Sequence, residues 1–413
     1  MNPSESGEPP VTRTLFKGGQ IFDSASGELA SGDLVVAGGR VVATGTGLDG
    51  DVLVDCTGKT LLPGLFDCHV HVTSVGPDLL RSLNRPFSYK YFEAAENLRR
   101  TLDIGITTVR DAGGADLGVK EAVEKGLIEG PRLKIAITIL SQTGGHNDGW
   151  MACGVNINGP ANPGAPDPIV DGVDAARRKV RELIRAGADQ IKVCTSGGVL
   201  SPRDDPRHAH FRLDELTEFV AQATAAHSYV MAHAQATDGI KNAVRAGIRS
   251  VEHGVFLDDE AISMMLAAGT WLVPTLLAPI AVLEAVEAGA SMPQQMIDKA
   301  RDVIDIHRDS IARAVAAGVK IAMGTDSGVG PHGQNLRELQ LMADVGMKPA
   351  DVLAATTSSA AELLGLGDEL GALDAGKRAD VVIVGGDPFD FVALNERIEA
   401  VWKDGRRVGP RPT

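Results

Sequence analysis

The stretch LFDCHVHV, residues 65–72, decides how the rest of the chain is interpreted. It is an apolar run that follows LLPG and ends in two histidines spaced two residues apart. Side chains two residues apart on a strand point to the same face, so we expect His69 and His71 to converge. Two converging imidazoles suit a divalent metal ion of the zinc kind, although most isolated pairs of this spacing are ordinary surface or core histidines.

Seven further strand-like runs follow this stretch, and helical stretches separate most of them. The runs are ITTVRDA (106–112), RLKIAIT (132–138), QIKVCTS (190–196), YVMAHAQ (229–235), RSVEHG (249–254), TWLVPT (270–275) and KIAMGTD (320–326). Apolar residues at three- and four-residue spacing predict helices over 175–187, 213–227 and 304–318. Eight strand–helix units predict an α/β fold, a (β/α)₈ TIM barrel over residues 64–367. A doubly wound sheet would need fewer strands than these eight, which disfavours that fold.

Long segments without this periodicity follow several predicted strand ends. They cover residues 74–90, 141–173, 197–212 and 275–296, and we interpret them as irregular active-site loops and a lid.

Short strand-like runs separated by Gly and Asp fill the chain before the barrel. The same texture returns at 379–386 and 396–408. Two β-rich segments at opposite ends can join one sheet only if the chain leaves and returns. We therefore predict a small discontinuous β-sandwich domain built from residues 12–63 and 368–413, preceded by a disordered arm at 1–11.

Composition restricts the possible partners. The 413 residues are 44% hydrophobic and 23% charged, which is typical of a globular protein with a sizeable core. Acidic residues outnumber basic ones, 54 to 40, and this balance argues against nucleic acid and anionic membranes as partners. The four cysteines form no CxxC pair, and the first residues do not have the pattern of a signal peptide. We expect a cytoplasmic protein that acts on a small molecule.

Four polar side chains stand within or at the ends of the later predicted strands. Lys192 lies inside an apolar strand, where it either forms a buried salt bridge or is carboxylated to bridge two metal ions. His233 and His253 close their strands, the position at which barrel enzymes place catalytic groups. Asp326 lies at the predicted rim, where a helix N-cap is an equal alternative. Taken singly, each of the four has an ordinary structural explanation.

Taken together, HxH on strand one, Lys on strand four, His on strands five and six and Asp on strand eight resemble the amidohydrolase superfamily. The resemblance is to the subtype with a binuclear metal site bridged by a carboxylated lysine, and it extends to GALDAGKRADVVIV at 371–384. SQTGGHND (141–148), TSGGVLSP (195–202) and GPHGQNLREL (330–339) are similar to imidazolonepropionase-like members, metal-dependent Xaa-Pro dipeptidases and related carboxypeptidase-type amide hydrolases. True imidazolonepropionases lack the bridging lysine, so Lys192 argues against that activity.

The resemblance implies two divalent metal ions, with Zn²⁺ as the first expectation, and a homo-oligomer. The implied metal ligands are His69, His71, Lys192, His233, His253 and Asp326. Lys192 would be an N6-carboxylysine that bridges both ions together with a hydroxide. Asp326 would take the proton of that hydroxide and deliver it to the leaving nitrogen. His146 and Gln235 are the implied substrate contacts, and a plain loop role is the alternative for both.

We expect the remaining candidates to have no catalytic role. His208 and His210 are predicted in a solvated loop, His227 and His307 on helix surfaces, and His332 in a loop-ordering position. Cys194 lacks a histidine free to activate a thiol. Arg110 and Asp111 either support the site or pair with each other.

The pattern therefore predicts a metal-dependent hydrolase that cleaves the amide bond of a dipeptide or N-acyl amino acid, aromatic conjugates such as mycotoxins included. Hydrolysis of a carbamate, urea or cyclic amide is the alternative inside the enzyme class. A non-catalytic binding barrel is the alternative outside it, and the presence of all six implied ligands disfavours that alternative.

Overall fold

The computed structural model describes residues 11–74, 76–158, 162–201 and 203–411, and within them the chain is α/β. The strands are β1 Arg13–Phe22, β2 Leu29–Ala37, β3 Arg40–Gly45, β4 Val52–Asp55, β5 Lys59–Pro63, β6 Leu65–Val70, β7 Ile106–Asp111, β8 Arg132–Ile135, β9 Ile139–Leu140, β10 Ile191–Cys194, β11 Val230–Ala234, β12 Ser250–His253, β13 Trp271–Val273, β14 Val381–Gly385, β15 Ile398–Lys403 and β16 Arg406–Gly409. The α-helices are α1 Leu79–Leu83, α2 Tyr89–Asp103, α3 Leu117–Glu124, α4 Val173–Arg185, α5 Leu213–Ala225, α6 Thr237–Ala246, α7 Asp259–Ala268, α8 Leu277–Glu287, α9 Gln294–Ala317, α10 Arg337–Asp344, α11 Pro349–Ala355 and α12 Ser358–Leu363. Of the predicted N-terminal arm, residues 1–10 lie outside the described residues.

Strands from both ends of the chain form one sheet, in the order β16-β15-β14-β5-β1-β2-β3 with β4 paired to β1. The two ends meet where β14 runs antiparallel to β5, with Val381 opposite Pro63. A separate apolar cluster that includes Phe16, Leu34 and Val381 fills one side of this sheet. The burial of apolar side chains therefore stabilises the pairing of β5 with β14, although these two strands are more than 300 residues apart in the sequence.

The middle of the chain forms two parallel sheets, β6-β7-β8 and β13-β12-β11-β10-β9. Every residue of β6, β7, β10, β11 and β12 is buried, as expected for parallel strands covered on both faces. In the second sheet Cys194 lies opposite His233, and Ala234 lies opposite His253. The parallel register thus brings the carboxyl ends of neighbouring strands to one edge.

The predicted eighth strand, residues 320–326, pairs only through isolated bridges. Ile321 bridges to Leu272 of β13, and Ser327 just beyond the segment bridges to Val70 of β6. The backbone of Asp326 turns into the left-handed region, with φ of +60°, which ends extended pairing at this point. The segment therefore lies between the two parallel sheets and contacts both of them.

Two of the segments that we interpreted as irregular contain helices. α1 forms inside residues 74–90, and α8 occupies much of 275–296, which corrects that interpretation. Pro279 lies in the first turn of α8, where a missing backbone N–H costs nothing, so this proline does not break the helix. Among the helices of the described residues, none combines the length and apolar character needed to cross a bilayer.

Candidate metal centre

Three predicted ligands meet where β6 ends. One donor atom each from His69, His71 and Asp326 lies within 4.8 Å of the others. The Oδ1 atom of Asp326 is 3.2 Å from Nε2 of His71 and 3.6 Å from Nε2 of His69. Burial opposes ionisation of Asp326, but the two imidazoles outweigh it and hold the pKa of this carboxyl below its usual value. Two imidazole nitrogens and a carboxylate are a donor set suited to a divalent metal ion.

The second nitrogen of each of these histidines is already bonded. Nδ1 of His69 lies 2.7 Å from Oε2 of Glu252, and Nδ1 of His71 lies 2.8 Å from the carbonyl oxygen of Gly113. Both partners accept hydrogen bonds, so each Nδ1 donates to its partner and each Nε2 is the nitrogen that faces Asp326. Metal-binding histidines are oriented in this way, and these residues fit a metal ion.

The carboxylate of Glu252 is itself held by a buried arginine, a partnership that the sequence analysis missed. Nη2 of Arg110 lies 2.9 Å from Oε1 of Glu252, and Nε of Arg110 donates to the carbonyl of Cys68 at 2.6 Å. Burial opposes ionisation of Glu252, yet the guanidinium lowers the pKa of this carboxyl to about 2. Asp111 instead accepts the backbone N–H of Val72 at 2.8 Å. Arg110 thus supports the site rather than pairing with its sequence neighbour.

Lys192 lies inside β10 with only 2% of its surface exposed. Its Nζ atom is 3.3 Å from Nε2 of His69, and within the described part of the chain it forms no ion pair with a carboxylate. The buried salt bridge that we considered for this lysine is thus not formed with any described residue. Burial lowers the pKa of the Lys192 ammonium and favours the neutral amine, the form that can react with carbon dioxide.

His233 and His253 stand together beside His69. Their ring centroids are 4.6 Å apart, and the His253 ring is 5.1 Å from that of His69. Nε2 of His233 donates to the carbonyl of Gly197 at 3.0 Å, and Nδ1 of His253 is 2.7 Å from Oγ1 of Thr275. Each ring thus keeps one nitrogen available. Burial holds the pKa of both imidazoles well below the usual value, which favours the neutral form that binds metal.

Backbone strain is concentrated at this centre. His253, Asp326 and Thr275 have φ of +73°, +60° and +51°, a conformation that residues with a side chain rarely adopt. Such strain persists only where the surrounding structure fixes it, and it is common at functional sites.

His146 stacks on His233 with ring centroids 4.1 Å apart, next to the three-donor group. Its Nδ1 atom is 3.0 Å from Oγ of Ser201 and 3.2 Å from Oδ2 of Asp204. Lys299 of α9 reaches the same carboxylate at 3.1 Å. Neither Asp204 nor Lys299 could be identified from the sequence, because both lie in segments without a recognisable motif. Together they fix the His146 ring and leave its Nε2 atom for another partner.

A cavity of about 60 Å³ opens beside these histidines. His146, His233, His253 and Asp326 line its polar side, together with the predicted substrate contact Gln235. The opposite side is a valine wall, formed by Val199, Val255, Val282, Val303 and Val329. A polar, metal-ligating side and an apolar side are what a site for a partly apolar small molecule requires.

Other candidates fall in different places. His208 and His227 are exposed, as predicted. His210 and His307 are buried, with 5% and 1% exposure, so their predicted solvent-facing positions are wrong. His332 lies beside the centre, with Nε2 3.2 Å from the carbonyl oxygen of His71, consistent with a loop-ordering role.

The buried thiol of Cys194 faces no dedicated base among the described residues. Burial raises its pKa to about 12, so it is not a nucleophile.

Comparisons with known proteins agree with this geometry. Residues 60–408 match the amidohydrolase family, whose members are generally metal-dependent. Ochratoxinase of Aspergillus niger is 32% identical over 366 residues, which cover 84% of this chain and 75% of that protein. A prolidase solved with N-methylphosphonate-L-proline is 35% identical, with a TM-score of 0.88 over 97% of this chain and 100% of its own. A Xaa-Pro dipeptidase solved with methionine in its active site is 31% identical, with a TM-score of 0.86 over 96% of this chain and 99% of that protein's chain.

These comparisons lead to one assignment. The family match covers most of the chain, one relative is more than 30% identical, and the fold is shared. The chain belongs to the amidohydrolase family and is a hydrolase that acts on carbon–nitrogen bonds of the amide type.

Proposed function

We propose that the protein hydrolyses the amide bond of a dipeptide or an N-acyl amino acid, including aromatic acyl conjugates. The reaction would use two divalent metal ions, and zinc is the metal we expect first. The observation that carries the proposal is the convergence of six side chains, one of which is a buried lysine that forms no ion pair with a described acidic residue. They are His69, His71, Lys192, His233, His253 and Asp326. In this proposal Lys192 would be carboxylated and would help to hold both ions.

We also propose that β6 to β13, with β8 and β9 counted as one interrupted strand and residues 320–326 as the eighth, form a closed (β/α)₈ barrel over residues 64–367. The isolated bridges from Ile321 to Leu272 and from Ser327 to Val70 support it, because they connect the edges of the two parallel sheets. Residues 12–63 and 368–413 would form the second domain. A homo-oligomeric state, a cytoplasmic location and the absence of nucleic-acid and membrane partners stay predictions from the sequence.

Metal ions in this site would lower the pKa of a water molecule and polarise the scissile carbonyl. The remaining chemistry belongs to the side chains. Asp326, at the boundary of the ligand group and the cavity, would accept the proton of the attacking water and return it to the leaving nitrogen. His146, with Nδ1 held by Asp204, would contact the amide group of the substrate through Nε2. An amine is a poor leaving group, so the protonation by Asp326 matters as much as the deprotonation.

The substrate class is supported by the shape of the cavity and by the relatives. The valine wall would accept an apolar side chain, and the polar side would accept the amide. The similar prolidase, Xaa-Pro dipeptidase and ochratoxinase agree with an amide substrate that contains an amino acid.

The test is to load the protein with zinc, measure its metal content, and assay a panel of dipeptides and N-acyl amino acids. We expect about two ions per chain and turnover within the panel. Lys192→Ala should bind fewer than two ions and lose activity, and short carboxylic acids should restore part of it. Lys320→Ala, at a half-exposed lysine paired with Glu362, is the matched control and should change neither. Two ions and full activity in Lys192→Ala would contradict the bridge, and turnover of only ureas or lactams would favour the alternative substrate class.

A further inference from the structure

The first turn of α8 is capped by a side chain from another helix. Glu338 lies on α10 and is fully buried, and in the described part of the chain no cationic side chain pairs with it. Its Oε1 atom accepts the backbone N–H of Leu276 at 2.7 Å, and its Oε2 atom accepts that of Leu277 at 2.8 Å. N–H groups at a helix start have no partner inside the helix, so Glu338 supplies the acceptors that α8 requires.

These two bonds do not depend on the charge of Glu338. Burial raises the pKa of this carboxyl to about 8, and each oxygen keeps a lone pair in either protonation state. A glutamine in its place would have one accepting oxygen and one donating NH₂ group. Glu338→Gln therefore leaves one of the two backbone N–H groups without an acceptor.

A residue next to α8 could have supplied this cap, but its hydroxyl is used elsewhere. Thr275 directly precedes Leu276, and threonine is among the residues that commonly cap a helix start. Its Oγ1 atom instead lies 2.7 Å from Nδ1 of His253, one of the proposed metal ligands. Because Glu338 caps α8, the hydroxyl of Thr275 is left to hold the His253 ring.

The backbone of Thr275 requires support from its surroundings. Its φ is +51°, a value that a β-branched residue rarely adopts. Such a conformation persists only where neighbouring contacts fix it, and Glu338 holds the N–H groups of the two residues that follow. A continuous set of contacts therefore connects Glu338, through the start of α8, to Thr275 and His253.

We propose that Glu338 is a positioning residue that keeps Thr275 in its strained conformation and thereby orients His253 towards one of the two proposed metal ions. The inference rests on the proposed function, because it requires His253 to be a metal ligand. Glu338 itself lies outside the residues that line the cavity, so it would act only through Thr275.

The test is a double-mutant cycle with Glu338→Gln and Thr275→Val, measured as zinc affinity in competition with a chelator. Thr275→Val keeps the branched shape of the side chain but removes the hydroxyl that holds His253. Each single variant should lower the affinity for one of the two ions about tenfold, because partners of this kind orient a metal ligand. If Glu338 acts through Thr275, the double variant should also lose about tenfold rather than about a hundredfold.

¹⁵N NMR of the histidine rings in the metal-free protein gives a readout that depends on neither metal nor turnover. The signals of His253 are identified by their loss in His253→Gln. In the wild type we expect two well-separated ring-nitrogen shifts, as for a single tautomer fixed by Thr275. In Glu338→Gln and in Thr275→Val the two shifts should move towards each other as both tautomers become populated.

Two controls separate positioning from general damage to the fold. Leu339→Ala removes a buried apolar side chain from the same helix, so it should lower thermal stability and leave zinc affinity and the His253 signals unchanged. Glu362→Gln, at an exposed acid, should change none of these quantities. If Glu338→Gln does not fold, Glu338→Asp, which keeps both acceptors on a shorter side chain, takes its place in the cycle with smaller losses.

Non-additive losses of zinc affinity, together with matching shifts of the His253 signals, support the inference. Wild-type zinc affinity in Glu338→Gln, unchanged His253 signals, or losses that multiply in the double variant overturn it, while two zinc ions in the wild type leave the proposed function intact. A wild type that binds fewer than two ions overturns the proposed function, and the inference falls with it.

Discussion

Nδ1 of His69 lies 2.7 Å from Oε2 of Glu252, and both side chains are buried, so a carboxylate determines which nitrogen of this histidine faces the proposed metal. Glu252→Gln removes the negative charge that fixes the tautomer of His69. We expect metal affinity to fall about 10- to 100-fold, because partners of this type orient the ligand and raise its basicity. Zinc affinity can be measured by competition with a chelator.

The same substitution leaves Arg110 as an uncompensated buried charge, which costs about 3–5 kcal/mol of stability. The double variant Arg110→Met with Glu252→Gln should recover part of the free energy of unfolding but not the metal affinity. Glu287→Gln, at an exposed acid on α8, is the control and should change neither quantity. Wild-type zinc affinity in a folded Glu252→Gln protein would show that the carboxylate does not orient His69.

Asp204 holds His146 by its Nδ1 atom and also accepts the backbone N–H of Gly198 at 3.0 Å. Asp204→Asn keeps the shape of the side chain but removes the charge that orients the imidazole and pairs with Lys299. If His146 contacts the substrate as proposed, kcat/KM should fall about 10- to 100-fold, since small misplacements of a positioning group have effects of this size. The bound metal should be unchanged.

The neighbouring acid Asp205 provides the matched control for that experiment. Its carboxylate is half-exposed and, among the described residues, accepts bonds from Arg207 alone, so Asp205→Asn should keep wild-type kinetics. Equal losses in both variants would indicate a general effect on the loop rather than on His146.

The sequence predicted the strands well where a hydrophobic period of two or a continuous apolar run was present. The parallel strands carry the predicted ligands at their ends, as Cys194 opposite His233 and Ala234 opposite His253 illustrate. The first residues of helices were harder to predict from the sequence. α9 begins at Gln294 rather than near residue 304, although its first turns already bury apolar residues at helical spacing, Met296, Ala300 and Val303.

Glu252 was missed for a geometric reason. On a regular strand, adjacent residues point to opposite faces, so a sequence argument that directs His253 into the site directs Glu252 away from it. The φ of +73° at His253 breaks this alternation, and both side chains then lie beside His69. A positive φ outside glycine cannot be inferred from one sequence. The surface position predicted for His307 was wrong, because this residue lies on the face of α9 that packs against His253.

Gly198 passes directly over the stacked histidines. A Cβ atom at this position would lie 2.4 Å from Cε1 of His146 and 2.7 Å from Nε2 of His233. Gly198→Ala must therefore displace one or both rings, and we expect at least a tenfold loss of kcat/KM with a smaller change in thermal stability. Gly367→Ala, where the nearest atom is 3.9 Å away, is the control and should remain fully active. Full activity in Gly198→Ala would mean that neither ring position matters for turnover.

Arg132 of β8 joins the parallel strands to the sheet formed by the chain ends. Nη1 lies 3.0 Å from Oδ2 of Asp380, and Nη2 lies 2.9 Å from Oδ1 of Asp404. Burial opposes ionisation of Asp404, but Arg132 and Arg378 outweigh it and hold the pKa of this carboxyl below its usual value. A depressed pKa in the folded state contributes stability above the unfolded value of about 3.9, and this contribution is lost as the pH falls below it.

Arg132→Leu should therefore lower the free energy of unfolding by about 1–3 kcal/mol at pH 7, since it leaves the buried carboxylate of Asp380 without its guanidinium. The difference from wild type should shrink at pH 3, because the unfolded chain is then protonated at Asp404 and the wild type loses part of the advantage of its paired carboxylate. Urea unfolding at the two pH values measures it. Arg301→Leu, at an exposed arginine on α9, should cost less than about 0.5 kcal/mol at either pH. If Arg132→Leu lowers the free energy of unfolding as much at pH 3 as at pH 7, the effect comes from lost packing and not from lost charge.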